Sequence, residues 1–281
     1  MSLDGIEGGG VGFHFEMDKL KKLKKILNDM GSVLIAYSGG LDSTFLMKVA
    51  GQVLGDNVLA VTAVSPTYPR QELTFARRMT GEFGIRHRVI NTNELKDKRF
   101  TSNPANRCYF CKKELFAKLI RIARKNKLKF VCDASNLSDD MDYRPGNKAK
   151  EEFGIRSPLN EAGFTKEDIR RMSRRLGLRS WNKPNLACLA SRVPYGMKIS
   201  TDILGRINKA EKFLSALGFS QIRLRHYNGL CRIEVLDKDI AKLFKKRDFI
   251  VSRLKTLGYN YITVDLEGYR TGSMNEALER G

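Results

Sequence analysis

The stretch SVLIAYSGGLDSTFL, residues 32–46, constrains the fold more than any other part of the chain. Residues 32–37 form a short apolar run with no polar alternation, which reads as a strand buried on both faces of a parallel sheet. Two glycines follow, and residues 42–54 then carry a helical pattern. A strand that ends in Ser-Gly-Gly and hands over to a helix aims free N–H groups and a positive dipole at one point. Gly39 and Gly40 let the backbone approach an anion closely. Ser38 and Ser43 add hydroxyl donors, and Ala36 closes the strand beside them. Asp42 reads either as part of this cradle or as a helix cap. The glycines are not followed by Gly-Lys-Ser/Thr, so the loop is not a Walker A motif.

The strand–helix pattern repeats. Strands are predicted at 57–64, 87–91 and 129–135, and helices at 70–83 and 112–126. Such alternation predicts an α/β domain with a parallel sheet covered on both faces, whose ligands bind at the carboxyl ends of the strands. Residues 19–25, KLKKLKK, have apolar positions at helical spacing and read as an amphipathic helix with a wet face. The pattern changes near residue 200. A helix over 201–219, two strands around Asn228-Gly229, a helix over 239–259 and a strand at 261–266 predict a smaller second α/β domain. The expected organisation is a flexible Gly-rich start at 1–15, a nucleotide domain at 16–197 and a substrate or oligomerisation domain at 198–281.

The formal charge is +20. That excess attracts nucleotides, phosphorylated metabolites or RNA, or it is a spread of solvated lysines. No stretch approaches the ~20 apolar residues of a membrane span, and the first residues lack signal-peptide features. Five cysteines in 281 residues make no disulfide framework, so a reducing cytoplasm is expected.

The SGGLDS stretch resembles the PP-loop of the ATP pyrophosphatases. Further motifs follow in order: NRCYFCKKELF, DASNLSDDMDYRPGNKA, GIRSPL, WNKPNLACLASRVPYG, QIRLRHYNGLCRIEV and DLEGYRTGSMN. Together they resemble the ATP-dependent sacrificial sulfur transferase family (LarE) of lactate racemase cofactor maturation, over nearly the whole chain after residue 16. The resemblance implies that ATP adenylylates a carboxylate of pyridinium-3,5-biscarboxylic acid mononucleotide and releases pyrophosphate. A protein-borne sulfur then displaces AMP. It also implies an adenine edge at Thr62, Ala63 and Ser65, although each also reads as an ordinary loop residue. Activating a carboxylate in this way calls for a phosphate cradle and Mg²⁺. The substrate's own phosphate needs a second site. Arg223 and Arg225, two apart on a strand, share a face and suit a phosphate, or else form a solvated basic strand. The resemblance favours the phosphate role, with Glu211 nearby. Arg144, Arg192 and Arg270 also fall in motif stretches. The resemblance also implies a homo-oligomer.

The cysteines divide into two sets. Cys132 and Cys231 sit in apolar runs and read as buried structural residues. Cys188 lies where the family places its sulfur donor, a thiol sacrificed to leave dehydroalanine in the single-cysteine members. This chain adds Cys108 and Cys111, a C-x-x-C pair. Structural zinc takes four ligands, whereas three thiolates can hold a 4Fe-4S cluster with one iron open. The expectation is that Cys108, Cys111 and Cys188 all lie in loops of the nucleotide domain, converge and hold such a cluster, which carries a sulfide; the sulfide source is unknown. A persulfide relay without iron stays open. A tRNA thiolase would share the PP-loop, the three cysteines and the charge, but no separate RNA-binding module is visible. A non-catalytic nucleotide-binding scaffold is the remaining alternative.

Overall fold

The computed structural model describes residues 11–139, 145–184 and 187–276. Along these residues run eleven α-helices: α1 (Val11–Met30), α2 (Leu41–Leu54), α3 (Arg70–Glu82), α4 (Lys98–Thr101), α5 (Arg107–Lys125), α6 (Gly146–Glu152), α7 (Pro158–Glu161), α8 (Lys166–Arg175), α9 (Thr201–Ala216), α10 (Ile240–Lys245) and α11 (Arg247–Thr256). The seven strands are β1 (Val33–Ala36), β2 (Val58–Val64), β3 (Arg86–Asn91), β4 (Phe130–Cys132), β5 (Ile222–Tyr227), β6 (Leu230–Val235) and β7 (Tyr261–Val264). Among the described residues, no helix is long and apolar enough to cross a membrane.

The chain forms two compact units. The first comprises Met1–Ser65, Arg70–Thr92 and Cys108–Lys183. Its sheet has the order β3-β2-β1-β4 with every pairing parallel. The reason for the unbroken apolar run in β1 is visible in its packing. Val33 and Ile35 join one core with Leu20, Leu23, Leu27 and Met30 of α1 and with Phe45, Met47 and Val49 of α2. Leu34 joins a second core with Phe116, Leu119 and Ala123 of α5. Spacings of three and four along α1 and α5 put those side chains on one helical stripe, and Lys21, Lys24 and Lys25 stay half-buried or exposed on the other face of α1. Strand order reverses across β1 and β4, so the crevice at their carboxyl ends is the place where such a sheet takes ligands.

The second unit comprises Pro66–Pro69, Asn93–Arg107 and Pro184–Gly281. It therefore includes Cys188 and segments that precede residue 198. β5 and β6 form the antiparallel hairpin read from the sequence, turning at Asn228, whose φ of 56° is left-handed. β7 adds parallel to β6. Leu204, Ile207, Ala210 and Leu214 give α9 its buried stripe.

Two local expectations are corrected. The strand expected at 129–135 stops at Cys132, because Asp133 accepts hydrogen bonds from Ser135 N and Oγ and turns the chain. The single helix expected over 239–259 is two helices separated at Lys246.

Candidate functional site

The Ser38–Ser43 loop links β1 to α2. Gly39 has φ +75°, and a Cβ there would meet Glu72 O at 3.2 Å, so the residue must be small as well as left-handed. Gly40 caps α2 but offers no side chain, leaving the helix N-terminus without a side-chain cap. Asp42 is therefore not the cap. Its carboxylate pairs with Lys166 Nζ at 2.5 Å, while its Oδ1 is buried without a hydrogen-bond partner. Burial pushes the Asp42 carboxyl up, and Lys166 pulls it partly back. The hydroxyls of Ser38 and Ser43 lie 3.1 Å apart, and Gly40 N–H donates to Ser38 Oγ. Thr44 Oγ1 donates to Gly40 O at 2.7 Å and stiffens the turn from behind. The result is a compact rim of hydroxyls and amides at the open end of a 14-residue helix, which suits an oxyanion.

Sequence reading missed Lys183 and Glu72. Lys183 Nζ donates to Glu72 Oε2 at 2.6 Å and to Gly39 O at 2.8 Å, and it stands 3.7 Å from the centre of the Phe75 ring. One lysine among 51 basic residues carries no signal of its own. Lys166 was missed for the same reason.

Neighbouring strand ends supply more polar groups. Ala36 is half-buried at the end of β1, and Ala63 is half-buried one residue before the end of β2. Ser65 follows β2 directly. Thr62 is buried and shares a hydrogen bond of 2.9 Å with His87 Nε2. Past β4, Asp133 accepts from Ser157 Oγ at 2.7 Å and from Ser135, with Lys150 beside them. Asn136 is fully buried and its Nδ2 has no partner.

In the second unit, Cys188 heads a short 3-10 turn, Leu189–Arg192. Its carbonyl accepts from Ser191 Oγ and from Arg192 Nη1. Arg192 is completely buried and bidentate to Glu211 at 2.9 Å, and Glu211 also accepts from Leu224 N. Arg225 is bidentate to the buried Glu234 and donates to Ser191 O and Ser273 Oγ. Arg223 donates to Ile222 O and lies 5.1 Å from the Tyr269 ring. Burial, with Arg192 close by, pushes Arg223 down to about 10. Both strand arginines are buried, so the solvated-strand alternative is excluded. Arg270 makes ion pairs with Asp265, Glu267 and Glu276. Arg144 lies outside the described residues.

The cysteine reading needs two corrections. Cys108 and Cys111 are not in a loop. They occupy the start of α5, which begins at Arg107, after a turn in which Arg107 N donates to Pro104 O. Cys188 belongs to the second unit, whereas the pair belongs to the first. None of the five is in a disulfide. Cys108 and Cys188 are exposed and Cys111 half-buried. Among the described residues, no group of three or more His, Cys, Asp or Glu side chains is gathered around a metal position. Cys132 and Cys231 are buried, and burial pushes the Cys231 thiol up to about 12 and Cys132 higher still. Iodoacetamide is therefore expected to label Cys108 and Cys188 in folded, metal-free protein, and Cys132 and Cys231 only after denaturation. Peptide mass spectrometry reads this directly; native labelling of Cys132 would mean that its core is open.

No protein-family model matches the chain. An uncharacterized protein of Synechocystis sp. is 42% identical over 264 residues, 93% of this chain and 98% of its own length. Pyridinium-3,5-bisthiocarboxylic acid mononucleotide synthase of Lactiplantibacillus plantarum is 38% identical over 263 residues, 93% of this chain and 95% of its own. An NH(3)-dependent NAD(+) synthetase of Chlorobaculum tepidum is 35% identical over 75 residues, 26% of this chain and 27% of its own. With the parallel sheet and its Ser-Gly-Gly turn, these similarities make the chain an ATP-dependent enzyme of the PP-loop superfamily, and within it a member of the pyridinium-3,5-bisthiocarboxylic acid mononucleotide synthase (LarE) family.

Proposed function

We propose that the enzyme uses ATP to convert a carboxylate of pyridinium-3,5-biscarboxylic acid mononucleotide to a thiocarboxylate. The observation that carries this reading is the uncapped N-terminus of α2 behind Ser38-Gly39-Gly40. It offers an anion free N–H groups and two serine hydroxyls, in a chain of this family. A substrate carboxylate oxygen attacks the α-phosphorus, and the bond to the bridging oxygen breaks with release of pyrophosphate. The loop stabilises the charge that builds on that leaving group. A sulfur nucleophile then adds to the acyl carbon, and AMP departs with the C–O electron pair.

The residues fit Mg²⁺ through the partnerless Oδ1 of Asp42; the ion would neutralise the pyrophosphate. Thr62, Ala63 and Ser65 are proposed to line the adenine, and Arg223 to face the substrate phosphate, with Arg225, tied to Glu234, and Glu211, tied to Arg192, framing that site. For the sulfur we propose a 4Fe-4S cluster on Cys108, Cys111 and Cys188. The pair stands one helical turn apart at the accessible start of α5, with the donor type such a cluster takes. When bound, the cluster would supply transferable sulfide. The chain's own part is to hold Cys188 at the head of its turn, through Arg192 and Ser191 on its carbonyl.

With the pyridinium mononucleotide and Mg²⁺ present, ATP is expected to yield AMP and pyrophosphate in step with substrate consumed, followed by chromatography of the nucleotides. Release of ADP and phosphate would sink the loop assignment. Thiolation of tRNA without pyridinium turnover would select the RNA substrate instead.

A further inference from the structure

Lys183 stands behind the Ser38–Ser43 loop, and the role given to it below rests on that loop holding the pyrophosphate of ATP. A lysine beside a phosphate loop is ordinarily a ligand of the phosphate itself. The surroundings of Lys183 argue for a different task. Its ammonium has three N–H bonds. One goes to Glu72 Oε2 at 2.6 Å and one to Gly39 O at 2.8 Å. The Phe75 ring, 3.7 Å from Nζ at its centre, takes the remaining direction. Both members of the ion pair are held out of water, with side-chain exposures of 14% for Lys183 and 6% for Glu72. The group is a peg with every donor engaged.

The acceptor it grips decides what the peg does. In a trans peptide, the carbonyl of one residue and the N–H of the next point in opposite directions. Holding Gly39 O toward Lys183 therefore turns the Gly40 N–H the other way, toward the Ser38 hydroxyl and the rim of the loop. Glycine has no side chain to bias that peptide plane, and Gly39 at φ +75° could otherwise turn over at little cost. A flipped peptide would aim a carbonyl dipole at the anion site and withdraw a donor. We infer that Lys183, held in place by Glu72, is a positioning residue that fixes the Gly39–Gly40 peptide in its anion-accepting orientation and so sets the loop's affinity for pyrophosphate. The lysine also ends the first unit, five residues before Cys188 along the chain.

The test uses the full chain with inorganic pyrophosphate, ATP and adenosine as separate probes in calorimetry, and the backbone amide resonance and exchange rate of Gly40 by NMR. Lys183→Met and Glu72→Gln are both expected to weaken pyrophosphate binding by roughly 10- to 100-fold, the range of one lost charge-assisted donor. Adenosine binding should not change, and Gly40 exchange should quicken without ligand. Glu72→Gln separates the two roles of a lysine. If Lys183 were a direct phosphate ligand, removing its counter-charge would free it and tighten pyrophosphate binding, and that result would overturn the inference. So would pyrophosphate affinity within twofold of the parent in a folded Lys183→Met protein. Should Lys183→Met fail to fold, Glu72→Gln carries the same comparison. If the unmodified enzyme binds neither pyrophosphate nor ATP, the nucleotide assignment is wrong; the peptide-setting role then stands or falls on the Gly40 amide alone, and an unchanged resonance and exchange rate overturn it.

Discussion

Alanine at Cys188 is expected to reduce thiocarboxylate formation to background while pyrophosphate is still released and the adenylylated substrate accumulates, because the phosphate cradle and the sulfur-bearing turn are built from different segments. Alanine at Cys108 or Cys111 is expected to do the same and to remove iron from anaerobically purified protein, which should otherwise be brown. The physical case for treating the three as one set is electrostatic. Thiolates brought together repel one another, and a cationic metal core offsets that repulsion far better than scattered surface lysines can. Cys132 and Cys231 cannot substitute, since burial holds both as thiols. The decisive readout is turnover number with added sulfide: many thiocarboxylates per chain for the cluster, one for a sacrificed thiol. A single turnover that leaves Cys188 lighter by the mass of H₂S, with Cys108→Ala still active, would discard the cluster and leave the C-x-x-C pair without a part in transfer.

Some of this site is legible in the sequence because local and tertiary demands agree. Residues 32–46 show it: the strand must be apolar on both faces, the turn must be glycine, and the helix must start open, so each requirement leaves a mark. The buried strand arginines were visible as a pair. What Arg225 pairs with is not, since Glu234 sits across the hairpin and Ser273 lies some forty residues further on. α5 starts at Arg107, ahead of the helix predicted from residue 112, because Asn-Arg-Cys carries no helical signature of its own. Asn103, in a left-handed conformation, donates through Nδ2 to the carbonyls of Val193, Pro194 and Met197, and its Oδ1 accepts from Arg107. The three carbonyls lie ninety or more residues away, so the anchoring of the segment just before α5 leaves no local mark. Lys183 and Glu72 are 111 residues apart and join only through the fold.

Arg223 and Arg225 occupy one strand, but their replacement is expected to have opposite signatures. Arg225 closes a buried charge pair: removing it leaves Glu234, which is fully buried, with only the partly exposed Arg232 and the Ser273 hydroxyl. Breaking such a pair costs about 3 kcal/mol, so Arg225→Ala should lower the urea midpoint clearly. Arg223 is held against its preference. Its guanidinium is protonated at neutral pH in both the folded and the unfolded chain, but burial, with Arg192 close by, makes the folded state hold that proton less tightly. The buried charge therefore carries a folding penalty. It is present throughout neutral pH and is relieved only as pH rises through the folded value. Alanine removes that penalty along with the bond to Ile222 O and the contact to Tyr269, so Arg223→Ala should cost clearly less stability than Arg225→Ala. The same substitution should weaken pyridinium mononucleotide binding by roughly 10- to 100-fold, with ATP affinity unchanged. Arg223 is buried beside two other cations, Arg192 and Arg225, as well as Glu211, and an arriving phosphate dianion would add negative charge where positive charge is in excess. That is the trade expected of a binding residue and not of a structural one. Urea titration with calorimetry on both variants checks it: an Arg223→Ala protein that is as unstable as Arg225→Ala and binds the mononucleotide normally would assign both arginines to the fold alone.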